Sequence, residues 1–143
     1  MVIMDETIER ALASRTIAIV GLSKDPSKPS SDVALYLLSR GYRIVPVNPT
    51  ANEILGEKCY KSLVDLPDEI KRVLDVVDIF RRPDDVPQIV EEAIQLRSKF
   101  HRPSVIWMQL GIVNEIAAKR ARNAGLGVVM DRCMKIEHVR SRT

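Results

Sequence analysis

The chain has 143 residues, of which 45% are hydrophobic, and this length and composition suit one compact core. Charged residues of both signs make up 29% and aromatic residues only 4%, which excludes a disordered tail and a surface that stacks bases. The net charge of +3 suits an anionic small molecule but is too small and dispersed for nucleic-acid binding.

The N-terminal segment, residues 1–15, carries acidic residues early and has neither an apolar run nor a signal-peptide cleavage site. No stretch of 18 apolar residues occurs, and the two cysteines, Cys59 and Cys133, lack zinc-ligand spacing. The sequence therefore predicts a cytoplasmic protein without membrane association, with residues 1–143 forming a single domain.

In chain order, a helix is predicted near residues 5–13, followed by five short apolar runs. Their continuous Val and Ile content is typical of strands buried on both faces. The runs are Thr16 to Val20, Arg43 to Val47, Val73 to Phe80, Ser104 to Gln109, and Gly127 to Met130.

Amphipathic segments separate these runs. Ser30 or Ser31 is predicted to cap the helix after the first run. Residues 82–99 have an apolar stripe at helical spacing, and Asn114 and Gly125 are predicted to begin and end the next helix. Strands that alternate with helices predict an α/β fold, a single Rossmann-like doubly wound parallel sheet of about five strands. We expect the runs in the order 3-2-1-4-5.

In such a sheet the ligand crevice lies at the carboxyl ends of the strands. The segment after the first run, GLSKDPSKPS, supplies Gly21, Ser23 and a helix N-terminus near Ser30, where free N–H groups attract phosphate. Three of the connections carry basic residues, namely Lys24, Lys28, Arg81, Arg82, Arg132 and Lys135. These features predict a ligand that carries phosphate groups.

Several common phosphate sites do not fit. A dinucleotide fingerprint needs glycines where Ser23 and Pro26 stand, and the acid that binds the ribose of NAD is replaced by Asn48. No P-loop follows the turn, and His101 and His138 have no evident catalytic partner. A ligand with a phosphorylated ribose fits better than NAD, although NADP sites also lack the acid.

Five segments, each at a strand end, together resemble the CoA-binding protein family, whose fold is that of the CoA-binding domain of the succinyl-CoA synthetase alpha subunit. They are IAIVGLSKDPSKPS, YRIVPVNP with ILGEKCYKSL, VDIFRRPDDVP, WMQLGI and VVMDRCMKIEH. The resemblance covers nearly the whole chain. It implies that coenzyme A lies across the switch point between the first and fourth runs.

The resemblance also implies roles for individual residues. The residues expected at the pyrophosphate are Gly21, Ser23 and Lys24, beside the helix start at Ser30. Those expected at the 3′-phosphoadenosine are Val47, Asn48 and Pro49, with Ile79, Phe80 and Arg81 flanking the adenine or the phosphates. Those expected along the pantetheine arm are Gln109, Leu110, Gly111 and Cys133.

Two departures from the synthetase pattern matter. A lysine that pairs with the 3′-phosphate is replaced by Thr50, Ala51 and Asn52, so this charge is expected from Lys24, Lys28 or Arg81. The catalytic histidine of the synthetase belongs to a second domain beyond the matched region. The synthetase activity is therefore not expected of this chain.

The sequence favours non-catalytic binding of coenzyme A or an acyl-CoA, as a carrier, sensor or regulatory subunit, because no acid–base pair is evident. A subunit of an acyl-CoA-handling enzyme and a nicotinamide-dependent oxidoreductase remain alternatives, so enzymatic activity stays open. A homodimer or a partner enzyme subunit is compatible with either. Cys133 lies between Arg132 and Lys135 and is either a small buried residue or a thiol that forms a mixed disulfide with CoA.

Overall fold

The computed structural model describes residues 5–142. Five parallel strands form one sheet, and a separate two-stranded antiparallel hairpin follows the second strand. In chain order the strands are β1 (Thr16–Val20), β2 (Arg43–Val47), β3 (Glu53–Ile54), β4 (Glu57–Lys58), β5 (Val76–Ile79), β6 (Val105–Met108) and β7 (Gly127–Val129). The five-stranded parallel α/β sheet predicted from the apolar runs is confirmed.

Helices cover both faces of the sheet, which is why its strands are apolar on both sides. The helices are α1 (Glu6–Leu12), α2 (Pro29–Ser39), α3 (Asp68–Lys71), α4 (Val86–Phe100), α5 (Glu115–Asn123) and α6 (Met134–Ser141), with 3-10 turns at Leu63–Asp65 and Pro83–Asp85. Residues of α1, α2 and α6 join one buried cluster, and residues of α3, α4 and α5 join the other.

The strand order is β2-β1-β5-β6-β7, so the predicted order 3-2-1-4-5 is wrong. The reason lies in Pro46. On one side of β2 the Val47 carbonyl accepts from the Gly21 N–H at 2.8 Å, whereas on the other side the Pro46 carbonyl accepts from the Tyr60 N–H at 3.1 Å. Proline has no N–H to donate, so this side of β2 suits a sheet edge rather than a central position.

The third apolar run therefore pairs with β1 instead of with β2. The connection from β1 leads to β2 on one side of it, whereas the later connection from β2 leads past β1 to β5 on its other side. The topological switch point of the sheet therefore lies between β1 and β5. The sequence-based expectation of a switch point between the first and fourth runs is wrong for the same reason.

The helix ends agree only in part with the sequence patterns. Asn114 caps α5, because its Oδ1 accepts from the Ala117 N–H at 2.9 Å, and Gly125 with φ +90° follows that helix, as predicted. The predicted cap at Ser30 or Ser31 is wrong, since α2 begins at Pro29 and both serines are buried within its first turn. A proline with its preset φ favours the first helical position.

The segment of residues 82–99 forms most of α4 (Val86–Phe100), and its predicted apolar stripe is buried, at Val86, Ile89, Val90, Ala93 and Leu96. The helix α6 was not predicted from the sequence. The irregular segment after Pro49 contains the β3–β4 hairpin and a 3-10 turn.

Asp78 interrupts the apolar pattern in the centre of the sheet. It is fully buried, it lies beside Ile19 of β1 and Trp107 of β6 in the strand register, and neither carboxyl oxygen has a hydrogen-bond partner within residues 5–142. Burial raises the pKa of Asp78 well above its ordinary value. The fold therefore favours the protonated, uncharged acid at this position.

We expect Asp78→Asn to stabilise the protein at neutral pH. In the unfolded chain this carboxyl titrates near its ordinary pKa of 3.8, whereas the folded chain keeps the proton to higher pH. The unfolded state then binds fewer protons, so the free energy of unfolding falls by about 1.4 kcal/mol per pH unit between the two pKa values. Asparagine cannot ionise and removes this loss.

Urea unfolding across a range of pH measures this effect. The difference in free energy of unfolding between Asp78→Asn and wild type should grow as the pH rises above the pKa of the carboxyl in the unfolded chain. Glu57→Gln, which replaces an exposed carboxyl of β4 by an amide, is the control. A difference that stays constant with pH would mean that Asp78 ionises alike in the folded and unfolded chains.

Candidate functional site

Two cavities lie at the carboxyl ends of the strands, on either side of the switch point. The β2 cavity has a volume of about 310 Å³ and lies between the end of β2 and the start of α4. The β6 cavity has a volume of about 520 Å³ and lies between the end of β6, α2 and the start of α6. Arg81, directly after β5 and Phe80, lines both cavities.

The turn after β1 separates these cavities and requires glycine at position 21. Gly21 has φ +90°, and a Cβ atom there would lie 2.4 Å from the Phe80 carbonyl oxygen and 2.9 Å from Cδ of Arg81. Such contacts are far shorter than van der Waals distances. The turn is therefore packed directly on the backbone that leaves β5.

Serine side chains hold the rest of this loop against the start of α2. The Ser30 Oγ accepts from the Ser23 N–H at 3.0 Å, and the Ser31 hydroxyl donates to the carbonyls of Ser23 and Asp25. The Ser23 N–H, which the sequence suggested for phosphate binding, is thus already paired within the loop. Lys24 is exposed, and neither cavity is lined by Ser23, Lys24 or Ser30.

Asn48 braces the end of β2. Its Nδ2 donates to the Leu22 carbonyl at 2.9 Å, and its Oδ1 accepts from the N–H and the hydroxyl of Thr50. These contacts tie the loop after β1 to the turn after β2. The neighbouring Val47 and Pro49 line the β2 cavity, whereas Asn48 does not.

Arg81 and Arg82 occupy different environments although they are adjacent. The Arg81 side chain is 39% exposed, and its Nη2 lies 3.3 Å from Oδ2 of Asp85. The Arg82 side chain is 82% exposed and pairs with the same oxygen at 3.6 Å. The Arg82 side chain is therefore turned to solvent more than the Arg81 side chain.

The far wall of the β6 cavity is held by Gln109. This side chain is almost fully buried, and its Oε1 accepts from the N–H of Met134, the first residue of α6. Cys133 immediately precedes that helix, is partly buried and lines the cavity beside Leu110. The adjoining Gly111 N–H donates to Asp131 at 2.7 Å.

The structure brings most of the predicted site residues to one edge of the sheet. Those that line the β2 cavity are Gly21, Val47, Pro49 and Arg81. Those that line the β6 cavity are Phe80, Arg81, Gln109, Leu110 and Cys133. The remaining six, which line neither, are Ser23, Lys24, Ser30, Asn48, Ile79 and Gly111, and Ile79 is fully buried.

Sequence reasoning missed Lys61, which lines the β2 cavity and donates from Nζ to the Pro49 carbonyl at 3.2 Å. It lies on the irregular segment between β4 and α3, where no motif marks it. It also missed the partner of His138, whose Nδ1 lies 2.6 Å from the Tyr36 hydroxyl. His138 therefore joins α6 to α2, and burial, followed by the charges of Arg142 and Arg40, lowers its pKa.

Within residues 5–142, no group of three or more His, Cys, Asp or Glu side chains is arranged to hold a metal ion. None of the helices in this range is long and apolar enough to cross a membrane.

Comparison with known protein families identifies the family of this chain. A family model described as a CoA binding domain matches residues 15–139. This match covers all five parallel strands and both cavities. The chain belongs to this family of CoA-binding domains, which confirms the resemblance carried by the five sequence segments.

Individual relatives extend this finding. YneT of Bacillus subtilis, an uncharacterized protein, is 39% identical over 125 residues, which are 87% of this chain and 86% of YneT. The ADP-forming acetate–CoA ligase II of Archaeoglobus fulgidus is 35% identical over 83 residues, which are 57% of this chain but only 12% of the ligase. The chain is thus related to a small part of these much longer enzymes.

Solved structures show the same two kinds of relative. A hypothetical protein from Pyrococcus horikoshii OT3 has a TM-score of 0.87 and 39% identity, and the match covers 99% of this chain and 94% of that one. A dinucleotide-forming acetyl-coenzyme A synthetase 1 from Ca. Korarchaeum cryptofilum, in its apo form, has a TM-score of 0.70 and 30% identity. That match covers 87% of this chain and 28% of the synthetase.

We expect Gly21→Ala to destabilise the protein more than Gly41→Ala. Both glycines have φ +90°, but a Cβ at Gly41 would meet nothing within 4 Å, whereas at Gly21 it would overlap the Phe80 carbonyl. Gly41→Ala should cost about 1–2 kcal/mol from left-handed strain alone. Gly21→Ala should cost roughly a further 1–3 kcal/mol from overpacking. Denaturant unfolding compares them, and equal losses would contradict the close packing of the turn on β5.

Proposed function

We propose that this protein binds coenzyme A, or an acyl-CoA, across the switch point between β1 and β5, without catalysing a reaction itself. The observation that carries the proposal is the pair of cavities joined at Arg81. Coenzyme A consists of a nucleotide and a long pantetheine arm joined by a pyrophosphate. Two adjoining cavities with a cationic group between them suit such a ligand. We further propose that the chain acts as a single CoA-binding domain.

The β2 cavity suits the adenosine part of the ligand. Apolar contacts are available from Val47, Pro49 and Leu63, and Arg81 and Lys61 supply positive charge. Carboxylates at the opposite wall, at the start and along the side of α4, suit the amino group and ribose hydroxyls as hydrogen-bond donors. We place the pyrophosphate beside Arg81 and the Gly21 turn, where the two cavities meet.

The β6 cavity suits the pantetheine arm. Its walls are mainly apolar, with Phe80, Leu110 and Ile112 on one side and Val33 on α2 on the other. Apolar walls with a few polar groups are usual for sites that hold a flexible organic ligand. In this placement the ligand thiol, or its acyl group, lies toward Cys133.

The role of carrier, sensor or regulatory subunit is supported by how the polar side chains around the β6 cavity are used. Asp32 pairs with Lys135 at 2.9 Å, and Gln109 accepts from the Met134 N–H at 3.1 Å. Both arginines at the cavity pair with Asp85. The glutamine amide and the arginine guanidinium groups do not exchange protons near neutral pH, so they suit binding and orientation of a ligand rather than acid–base catalysis.

The ligase relatives support a second proposal, that the domain presents CoA to a partner chain. In those enzymes the matched region is a small part of a longer protein. Co-purification of an acyl-CoA-handling or ATP-binding subunit with the tagged protein would favour this role. Binding of NADPH in preference to CoA would instead favour an oxidoreductase.

The test of the central proposal is calorimetric titration of CoA, 3′-dephospho-CoA, NAD and NADPH into protein freed of ligand retained from its preparation. We expect a micromolar or tighter dissociation constant for CoA, weakened about tenfold without the 3′-phosphate, which equals 1.4 kcal/mol. NAD should bind more weakly, because it has neither the 3′-phosphate nor the pantetheine arm for which the two cavities are proposed. No response to CoA, or tighter binding of NADPH, would overturn the proposal.

Arg81→Gln should weaken CoA binding by about tenfold, because it removes a charge placed between the two cavities. Arg82→Gln is the matched control, since it removes the same charge and an ion pair with the same carboxylate, but the Arg82 side chain is 82% exposed and lines the β6 cavity alone, not the junction of the two cavities. The control should change CoA affinity by less than about twofold, as expected for an exposed charge. An equal loss of CoA affinity in both variants would mean that Arg81 contributes no more to CoA binding than Arg82 does.

A further inference from the structure

Lys61 occupies a defined position above the end of β2. The Tyr60 N–H donates to the Pro46 carbonyl at 3.1 Å, and the Asn48 N–H donates to the Tyr60 carbonyl at 2.8 Å, so this segment extends the edge of the sheet. The next residue is Lys61, whose Nζ lies 3.2 Å from the Pro49 carbonyl oxygen. Backbone pairing at the sheet edge thus brings this ammonium group to the β2 cavity.

Donors of Lys61 remain available to a ligand. An ammonium group has three hydrogen-bond donors, and the Pro49 carbonyl uses one of them. Within residues 5–142 no carboxylate lies in ion-pair distance of Lys61, whereas Arg81 is paired with Asp85. Lys61 is therefore the cation of this cavity whose charge the protein leaves unneutralised.

Charge is distributed unevenly across the β2 cavity. Lys61 lies at the β2 side, while Asp84, Asp85 and Glu92 lie at the α4 side. A phosphate monoester would be repelled from the α4 side and attracted to the β2 side. A phosphate on the ribose of an adenosine bound in this cavity is therefore favoured on the β2 side.

Cys59 gives a second sign of positive charge at this edge. Burial raises the pKa of its thiol, while the backbone of Asn48 and the charges of Lys61 and Lys24, in that order, act to lower it. Both lysines therefore lie within electrostatic range of the end of β2. Only Lys61 also lines the cavity.

We infer that Lys61 binds the phosphate on the ribose 3′-oxygen and thereby selects coenzyme A over ligands that lack this group. The inference rests on the proposed function, because it needs adenosine in the β2 cavity. Lys61 would then supply the positive charge for the 3′-phosphate that in the synthetase pattern comes from a lysine, where this chain has Thr50, Ala51 and Asn52. Lys61 is a specificity residue in this scheme, since it contacts the ligand far from the thiol.

The experiment compares Lys61→Met with Lys58→Met by calorimetric titration. Lys58 is the matched control, because it lies three residues earlier on β4, has its ammonium 5.3 Å from the centre of the Tyr60 ring and does not line the β2 cavity. Each protein is titrated with CoA and 3′-dephospho-CoA. Adenosine 3′,5′-bisphosphate and adenosine 5′-monophosphate repeat the comparison without the pantetheine arm.

We expect Lys61→Met to weaken CoA by about tenfold and to leave 3′-dephospho-CoA within about twofold of wild type, so that discrimination nearly vanishes. The same loss should appear for the bisphosphate but not for the monophosphate. Lys58→Met should retain the wild-type ratio. High salt should reduce the ratio in wild type, because the contact is exposed and therefore screened.

The outcomes separate this inference from the proposed function. If wild type binds CoA and Lys61→Met keeps the full preference for the 3′-phosphate, the role of Lys61 is overturned while CoA binding stands. Equal weakening of both ligands would also overturn it, because the loss would not depend on the phosphate. If wild type binds neither CoA nor the bisphosphate, both the proposed function and this inference fail.

Discussion

The missing N–H of Pro46 constrains the whole arrangement, because it makes β2 an edge strand. The next long strand, β5, then pairs with β1 on the opposite side, and the switch point lies between them. This neighbour relation brings the Gly21 turn onto the Phe80 carbonyl and places Arg81 where the two cavities meet. The exposed side of β2 is left to the Tyr60 segment, which carries Lys61.

The site divides its polar groups between structure and ligand. Several polar side chains are hydrogen-bonded within the protein and hold the loops and α6 in place, namely the serines after β1, Asn48 and Gln109. These bonds set the shape of the cavities. Lys61 keeps unused donors at the β2 cavity, and Arg81 lies at the junction. Because the walls are held in place before a ligand binds, the protein's loops and side chains lose less entropy on binding.

Asp78 lowers the stability of the sheet. A buried carboxyl without partners costs free energy, and the strand partners Ile19 and Trp107 offer no compensating hydrogen bond in the described structure. An apolar residue would satisfy the packing of β5 better.

The sequence by itself determined the fold class, the five strands, the α4 stripe and the loops that reach the strand ends, because these depend on local apolar periodicity and on turn residues. Only the tertiary structure decided the strand order, the pairing of His138 with Tyr36, and the position of Lys61 beside Pro49. Pro46 is a local signal that β2 is an edge strand, whereas the dinucleotide-binding order 3-2-1-4-5 would place that strand inside the sheet. The positions of His138 and Lys61 had no such signal, since contacts between distant segments depend on which edges and faces the chain brings together.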